Sequence, residues 1–307
     1  ARSERRSRLQ AEGFLTAASL EEAARMGATR CIVASGTARH VPDGLAAAEQ
    51  GLDLLVEKPL APDAAAAEPL CQAVRERGRA LFVGCVLRFS DSLGTARRLL
   101  AEVGPLHAVR IECRSYLPDW RPQRPYRESY SARRDEGGVL RDLIHEIDYA
   151  GWLFGWPAAV QARLRNLGRL GIASEEIAEL TWEAPSGCLV SVCLDYLSRP
   201  RRRRMLVCGA EGTLEWDGVA NTVTLERAEA PPEVMRAAQT RDQMLLAQDL
   251  EFLRACAGGA NGHLATGEEG LRALGVCDAA RCSSASGREE PVAYEGLRSR
   301  PAAEAAA

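Results

Sequence analysis

Up to about residue 89, apolar positions fall in short continuous runs separated by helical patterns. "TRCIVASG" (29–36), "LDLLVEK" (52–58) and "ALFVGCVLRF" (80–89) each read as a strand buried on both faces. Between them, "HVPDGLAAAEQG" (40–51) and "APDAAAAEPLCQAVRERG" (61–78) read as helices stopped at Gly51 and Gly78. Pro69 lies inside the second helix and predicts a kink there. Strand–helix–strand–helix–strand with short links predicts a parallel sheet with helices on both faces. In such a sheet the strand C-termini open on one edge, where ligands bind. That edge gathers Ala34-Ser35-Gly36-Thr37, Glu57-Lys58-Pro59 and Gly84 through Phe89.

Beyond residue 89 the pattern changes. "DSLGTARRLLAEVG" (91–104) is a helix and "LHAVRIECRSY" (106–116) an alternating, half-exposed strand. Residues 117–138, "LPDWRPQRPYRESYSARRDEGG", hold three prolines and no apolar period, which predicts a long loop of the kind that carries function. "VLRDLIHEIDYAGWLFG" (139–155) has the stripe of one continuous amphipathic helix, with Asp142, His145, Glu146 and Tyr149 on its polar side. Alternating strands fill 158–227, with turns at Pro185-Ser186-Gly187 and Glu211-Gly212, and helices follow at roughly 235–257 and 267–286. The fold class is therefore α/β: a Rossmann-type parallel-sheet domain over 1–88, then an α+β domain with a mostly antiparallel open sheet over 89–297. Residues 298–307 form a low-complexity tail expected to be disordered.

Composition narrows the function. At 307 residues with 46% apolar and 26% charged side chains, the chain is that of a globular protein with a sizeable core. A net charge of −3 exerts no general pull on nucleic acid or an anionic membrane. No apolar run approaches the ~18–20 residues that span a bilayer, and "ARSERRSRLQ" lacks a signal-peptide core. The ten cysteines are scattered, several within apolar runs, and make no C-x-x-C pair. Reduced thiols, a cytoplasmic location and no metal site are the expectation. "RPRRRR" (199–204) runs straight into a strand and reads as a solvated strand end or subunit surface rather than a site for nucleic acid or a phosphorylated sugar.

"VEKPLA" followed by "GGVLRDLIHEIDYAGWLFG" resembles the Gfo/Idh/MocA family, the glucose–fructose oxidoreductase and inositol dehydrogenase group. "IVASGTARH", "GCVLRF" and the closing "EEGLRALGVCDAARCSSASGREEPV" extend the resemblance from about residue 14 to 294. It implies an NAD(P)-dependent oxidoreductase moving a hydride between nicotinamide and a hydroxyl or carbonyl of a sugar, cyclitol or sugar derivative. It also implies a homo-oligomer, dimer or tetramer, associating through an open sheet for which residues 180–196 carry apolar character. Lys58 matches the family's E-K-P lysine, whose following peptide bond is often cis, and His145 the histidine of H-x-x-D, with Asp148 as its aspartate. The implied catalytic set is Lys58, His145 and Asp142. Ser35, Gly36, Thr37, His40, Glu57, Lys58, Pro59 and Arg88 would hold cofactor, and Arg88, Asp142 and His145 substrate. Separately from the resemblance, the Arg and aromatic residues of the 117–138 loop, Tyr126, Arg127 and Tyr130 among them, suit sugars and anionic groups and are expected to close over substrate.

Two departures qualify the resemblance. Asp142 and His145 are separated by two residues where the common family pattern has three, and one residue turns a helical side chain by about 100°. The G-x-G-x-x-G fingerprint is absent, and "RSERRSRLQAEGF" resembles the segment after the family's second strand. The phosphate loop is expected upstream of Ala1, which leaves NAD or NADP open. Rival readings are NAD-dependent glycosidase chemistry on the same fold and a non-catalytic sugar sensor.

Overall fold

A computed structural model describes residues 2–294, with side chains from residue 4 onward, so the expected 298–307 tail lies outside the described residues. Helices α1 (Arg2–Ala11) and α2 (Leu20–Arg25) precede the first strand. β1 (Arg30–Val33), α3 (Thr37–Glu49), β2 (Asp53–Glu57), α4 (Ala64–Glu76) and β3 (Leu81–Gly84) then follow the apolar pattern. The chain continues through α5 (Asp91–Leu99), β4 (Leu106–Arg114), α6 (Val139–Asp142), α7 (His145–Phe154), β5 (Ala159–Arg165), β6 (Ile177–Glu183) and β7 (Leu189–Asp195). It ends with β8 (Arg202–Gly209), β9 (Gly212–Asp217), β10 (Thr222–Arg227), β11 (Glu233–Arg236), α8 (Arg241–Ala255), β12 (Ala265–Thr266), α9 (Gly267–Ser286) and β13 (Glu290–Pro291).

β1, β2 and β3 lie side by side and parallel, and β12 adds antiparallel to β3. Leu54, Leu55 and Val56 are fully buried because helices cover both faces of β2. The other strands form a nine-stranded sheet, β11-β10-β9-β8-β4-β7-β6-β5-β13, whose pairings are antiparallel except β4 with β7. Leu180, Trp182, Val190, Val192 and Leu194 all face its covered side. The apolar character of 180–196 therefore belongs to the core, and apart from Leu189 the open side of β6 and β7 is mainly polar.

α9 joins the two sheets. Gly267 and Gly270 let one end approach Leu81 and Val83 of β3, while Ser283 and Ser284 accept the N–H groups of Ala162 and Leu164 in β5. Phe252 of α8 packs with Leu55 and Phe82, so the chain after residue 240 returns to the first sheet, which a boundary at residue 88 does not capture. Some elements differ from their expected form. α4 runs unbroken through Pro69, whose missing N–H removes one helical bond near the first turn. The third strand stops at Gly84 and gives way to a 3-10 turn at Val86–Phe89. α8 starts at Arg241 because β11 takes the residues before it. The expected helix 139–155 is two helices, and this break shapes the site.

Candidate active site

The site forms where the C-terminal edge of the parallel sheet meets the junction of α6 and α7. β2 delivers Glu57, Lys58 and Pro59 to that edge, with the Lys58–Pro59 bond cis. The Glu57 carboxylate crosses Gly84, its atoms about 3.1 Å from where a Cβ would stand, so a side chain there would meet it. Burial pushes the Glu57 carboxyl up, against the pull of Lys58.

The helix break has a chemical result. Gly137 and Gly138 lead into α6; a Cβ on Gly137 would fall 2.1 Å from the Tyr130 carbonyl, and Gly138 has φ +97°. Two glycines let the end of the long loop lie directly against α6. At the junction, the Glu146 N–H donates to the Leu143 carbonyl at 3.2 Å. A regular helix would give that N–H to Asp142. The freed Asp142 carbonyl instead accepts the Lys58 ammonium at 2.7 Å, tying β2 to α6. Asp142 thus meets Lys58 through its backbone. Its carboxylate turns away and accepts the Tyr196 hydroxyl at 2.5 Å, while its Oδ1 is buried with no hydrogen bond among the described residues. Tyr130 stands beside the same carboxylate: burial first, and then the Asp142 charge, raise its hydroxyl's pKa.

His145 opens α7, half-buried, with Nδ1 enclosed and without a hydrogen bond among the described residues. Burial first, then the charges of Lys58, Arg203 and Arg241, push its pKa well below the ordinary value. The imidazole is therefore neutral at neutral pH, the form that accepts a proton. Arg241, at the start of α8, is exposed, and its charge reaches Glu57 as well as His145. It was not legible beforehand: "QTRDQ" has no apolar period, and only the return of α8 to the first sheet brings it here.

Other expected residues take structural roles. Arg88 is buried and donates to both Asp148 oxygens at 3.0 and 2.7 Å and to Glu269 at 2.8 Å, clamping the 3-10 turn to α7 and α9. Burial opposes its charge, but the charge and hydrogen bonds of Asp148 together with Glu269 and Cys85 outweigh this and hold it charged. In this structure all three guanidinium nitrogens are engaged in that clamp. His40 is buried too, with Nδ1 2.8 Å from the Pro59 carbonyl and Nε2 3.1 Å from that of Ser35. It fastens the loops after β1 and β2 together instead of facing a ligand. Tyr126 and Arg127 both donate to the Leu170 carbonyl, at 3.0 and 2.9 Å, and so brace the long loop. Glu146 and Tyr149, expected on a polar helix face, are buried; Glu146 pairs with Arg203 at 2.7 Å.

The chain fits one end of a dinucleotide. α3 begins at Gly36 without a capping side chain, Ser35 and Gly36 are exposed, and a Cβ on Gly36 would meet nothing within 4 Å. Thr37 itself is buried. No side chain caps the start of α3, on the edge that carries Lys58, and an uncapped helix start suits a polar or anionic group. Among the described residues no cluster could hold a metal ion, and no helix is long and apolar enough to cross a membrane.

Known proteins match both halves of this arrangement. A family model described as an oxidoreductase family with an NAD-binding Rossmann fold matches residues 2–85. A model of the Gfo/Idh/MocA C-terminal domain matches residues 94–215. The chain is 29% identical over 143 residues to a 2,7-anhydro-N-acetylneuraminate hydratase of Mediterraneibacter gnavus, a stretch covering 46% of this chain but only 38% of the hydratase. It is 27% identical over 268 residues to inositol 2-dehydrogenase 4 of Saccharopolyspora erythraea, covering 85% of this chain and 76% of that one. A UDP-N-acetylglucosamine 3-dehydrogenase from Acidithiobacillus ferrooxidans shares the fold with a TM-score of 0.77 at 20% identity, over 92% of this chain and 87% of its own. The two matched segments are the two halves that Lys58 and Asp142 join, and the chain belongs to the Gfo/Idh/MocA oxidoreductase family.

Proposed function

We propose that the protein is an NAD-dependent oxidoreductase that interconverts a hydroxyl and a carbonyl on a sugar, cyclitol or sugar derivative. The observation that carries this reading is the Lys58 ammonium, fixed on the Asp142 carbonyl three residues before a neutral His145. When bound, the nicotinamide supplies the hydride acceptor or donor. In the oxidative direction the hydroxyl proton passes to the His145 imidazole, with Nε2 as the less enclosed nitrogen. The C–O bond becomes C=O as the C–H electron pair departs as hydride. Lys58 holds a compact positive charge beside the oxygen where negative charge builds, a role a planar guanidinium fills poorly. Ser35, Gly36 and the first turn of α3 would hold the nicotinamide end, with His40 keeping that loop against Pro59. NAD is favoured over NADP by the family description alone. Association of copies would use the open face of the nine-stranded sheet, where Leu189 is exposed.

The test is NADH formation at 340 nm with a panel of sugars and cyclitols, comparing the native protein with Lys58→Met. A loss of about 10²–10³-fold in kcat with an unchanged melting temperature is expected, the scale of removing one charge-stabilising donor. Turnover retained by Lys58→Met would sink the reading.

A further inference from the structure

The long loop 117–138 does more than close over the junction. It lines a cavity of about 360 Å³ with Leu117, Trp120, Pro125, Tyr130 and the exposed Arg121 and Arg124. Most charges near it are already satisfied. Asp119 accepts both arms of Arg199 at 3.0 and 3.1 Å, Arg127 donates to Leu170, and Arg133 pairs with Glu136. Arg121 and Arg124 differ: neither guanidinium has a hydrogen bond or ion pair among the described residues. A tight turn, Arg124 N–H to Arg121 carbonyl at 3.0 Å, brings their backbones together. The one carboxylate in the lining, Glu128, leaves the cavity a positive charge in surplus. Two unpaired guanidinium forks suit the planar or tetrahedral oxygens of an anion.

Two aromatic residues of the cavity wall lead by contact to Asp142. Tyr130 lines it and stands beside the Asp142 carboxylate, whose residue holds Lys58. Trp120, pinned by its Nε1 donating to Ser115 at 2.7 Å, meets the Tyr196 ring edge-on at 5.5 Å, and Tyr196 donates to Asp142. Its indole is an apolar wall of the sort a sugar ring lies against.

We propose that this cavity takes the anionic end, a carboxylate or phosphate, of an acidic sugar derivative, held by Arg121 and Arg124. The sugar ring would extend past Tyr130 toward Lys58; this orientation, and only this, rests on the proposed hydride site. The substrate class is thereby narrowed from sugars at large to sugar acids or sugar phosphates.

The experiment is calorimetric titration of the full chain with glucuronate, glucose 6-phosphate and glucose, at low and high salt. At least one anion is expected to bind about tenfold or more tightly than glucose, the scale of hydrogen bonds to a charged group. Salt should narrow the gap, and Arg121→Ala with Arg124→Ala should abolish it. Glucuronate ahead of the phosphate identifies sugar acids; the reverse order identifies sugar phosphates. Equal binding of all three, binding of none, or a preference that survives the double substitution overturns the proposal. Turnover of the same sugars separates the two ideas. An arginine-dependent anion preference without NADH formation removes the hydride reading and leaves this one. NADH formation without the preference does the opposite.

Discussion

His145 illustrates how one residue's environment sets its chemistry. An exposed imidazole is half protonated near pH 6.5, and the protonated fraction cannot accept a proton. Here, burial and three neighbouring cations disfavour the charged form. The sign follows from linkage. Because the folded pKa lies below the unfolded one, the unfolded chain takes up a proton at this residue as pH falls below about 6.5, while the folded chain does not. Stability contributed here is thus full above that pH and is lost on acidification, by at most about 1.4 kcal/mol per pH unit. Two outcomes are expected. The acid limb of kcat/KM in the oxidative direction should fall below the ordinary histidine range. The melting temperature should also drop less between pH 7 and pH 5.5 in His145→Asn than in the native protein. A native acid limb at an ordinary histidine pKa would mean that water reaches the ring.

At the scale of elements, α7 is placed by charge as much as by packing. Arg88 reaches it from the turn after β3, and Asp148 answers from within the helix with both partners almost wholly out of solvent. Removing one member of such a pair leaves the other charge buried and unmatched, so Arg88→Ala should destabilise by roughly 3–5 kcal/mol in urea unfolding. Exchanging both for apolar residues, Arg88→Met with Asp148→Leu, should recover much of that, though Glu269 then loses a partner as well. If the double variant is as unstable as the single, packing of the aliphatic stems dominates. The three parallel strands and α9 were legible because their apolar runs and stop signals are local. The clamp was not: Arg88 and Asp148 are 60 positions apart, and an R-F pair at a strand end suggests a ligand contact until its partner is seen. Nor was the break at Leu143–Ile144, since both residues are buried and the 3.6-residue stripe runs through it undisturbed. A periodic pattern reports which side of a helix is covered, not where its hydrogen-bond ladder skips a rung.

For the whole molecule, the question is what keeps two sheets in register so that Lys58 and His145 stay together. α9 spans them by close packing, and the Arg88 clamp includes Glu269, which also caps that helix. A further tie is Arg141. From α6 its Nε donates to the Pro62 carbonyl beyond β2 at 2.7 Å, while Nη1 donates to Arg134 and Gly137 at 3.1 and 2.9 Å. It thus joins the loop carrying Lys58, the helix whose freed carbonyl holds that lysine, and the end of the long loop, without touching the reacting atoms. Acting by position, it makes a specific signature. Arg141→Ala should lower kcat about tenfold in the otherwise native protein but have almost no effect once Lys58 is already methionine, because contributions routed through one contact do not add. Arg141→Lys should restore little, since one ammonium does not reproduce three donations made from two sides of a planar group. A double-mutant cycle on kcat, with melting temperatures measured alongside, decides the matter. Losses that add would mean that Arg141 supports the fold generally, and that the geometry of the Lys58 contact is held by α9 and the Arg88 clamp alone.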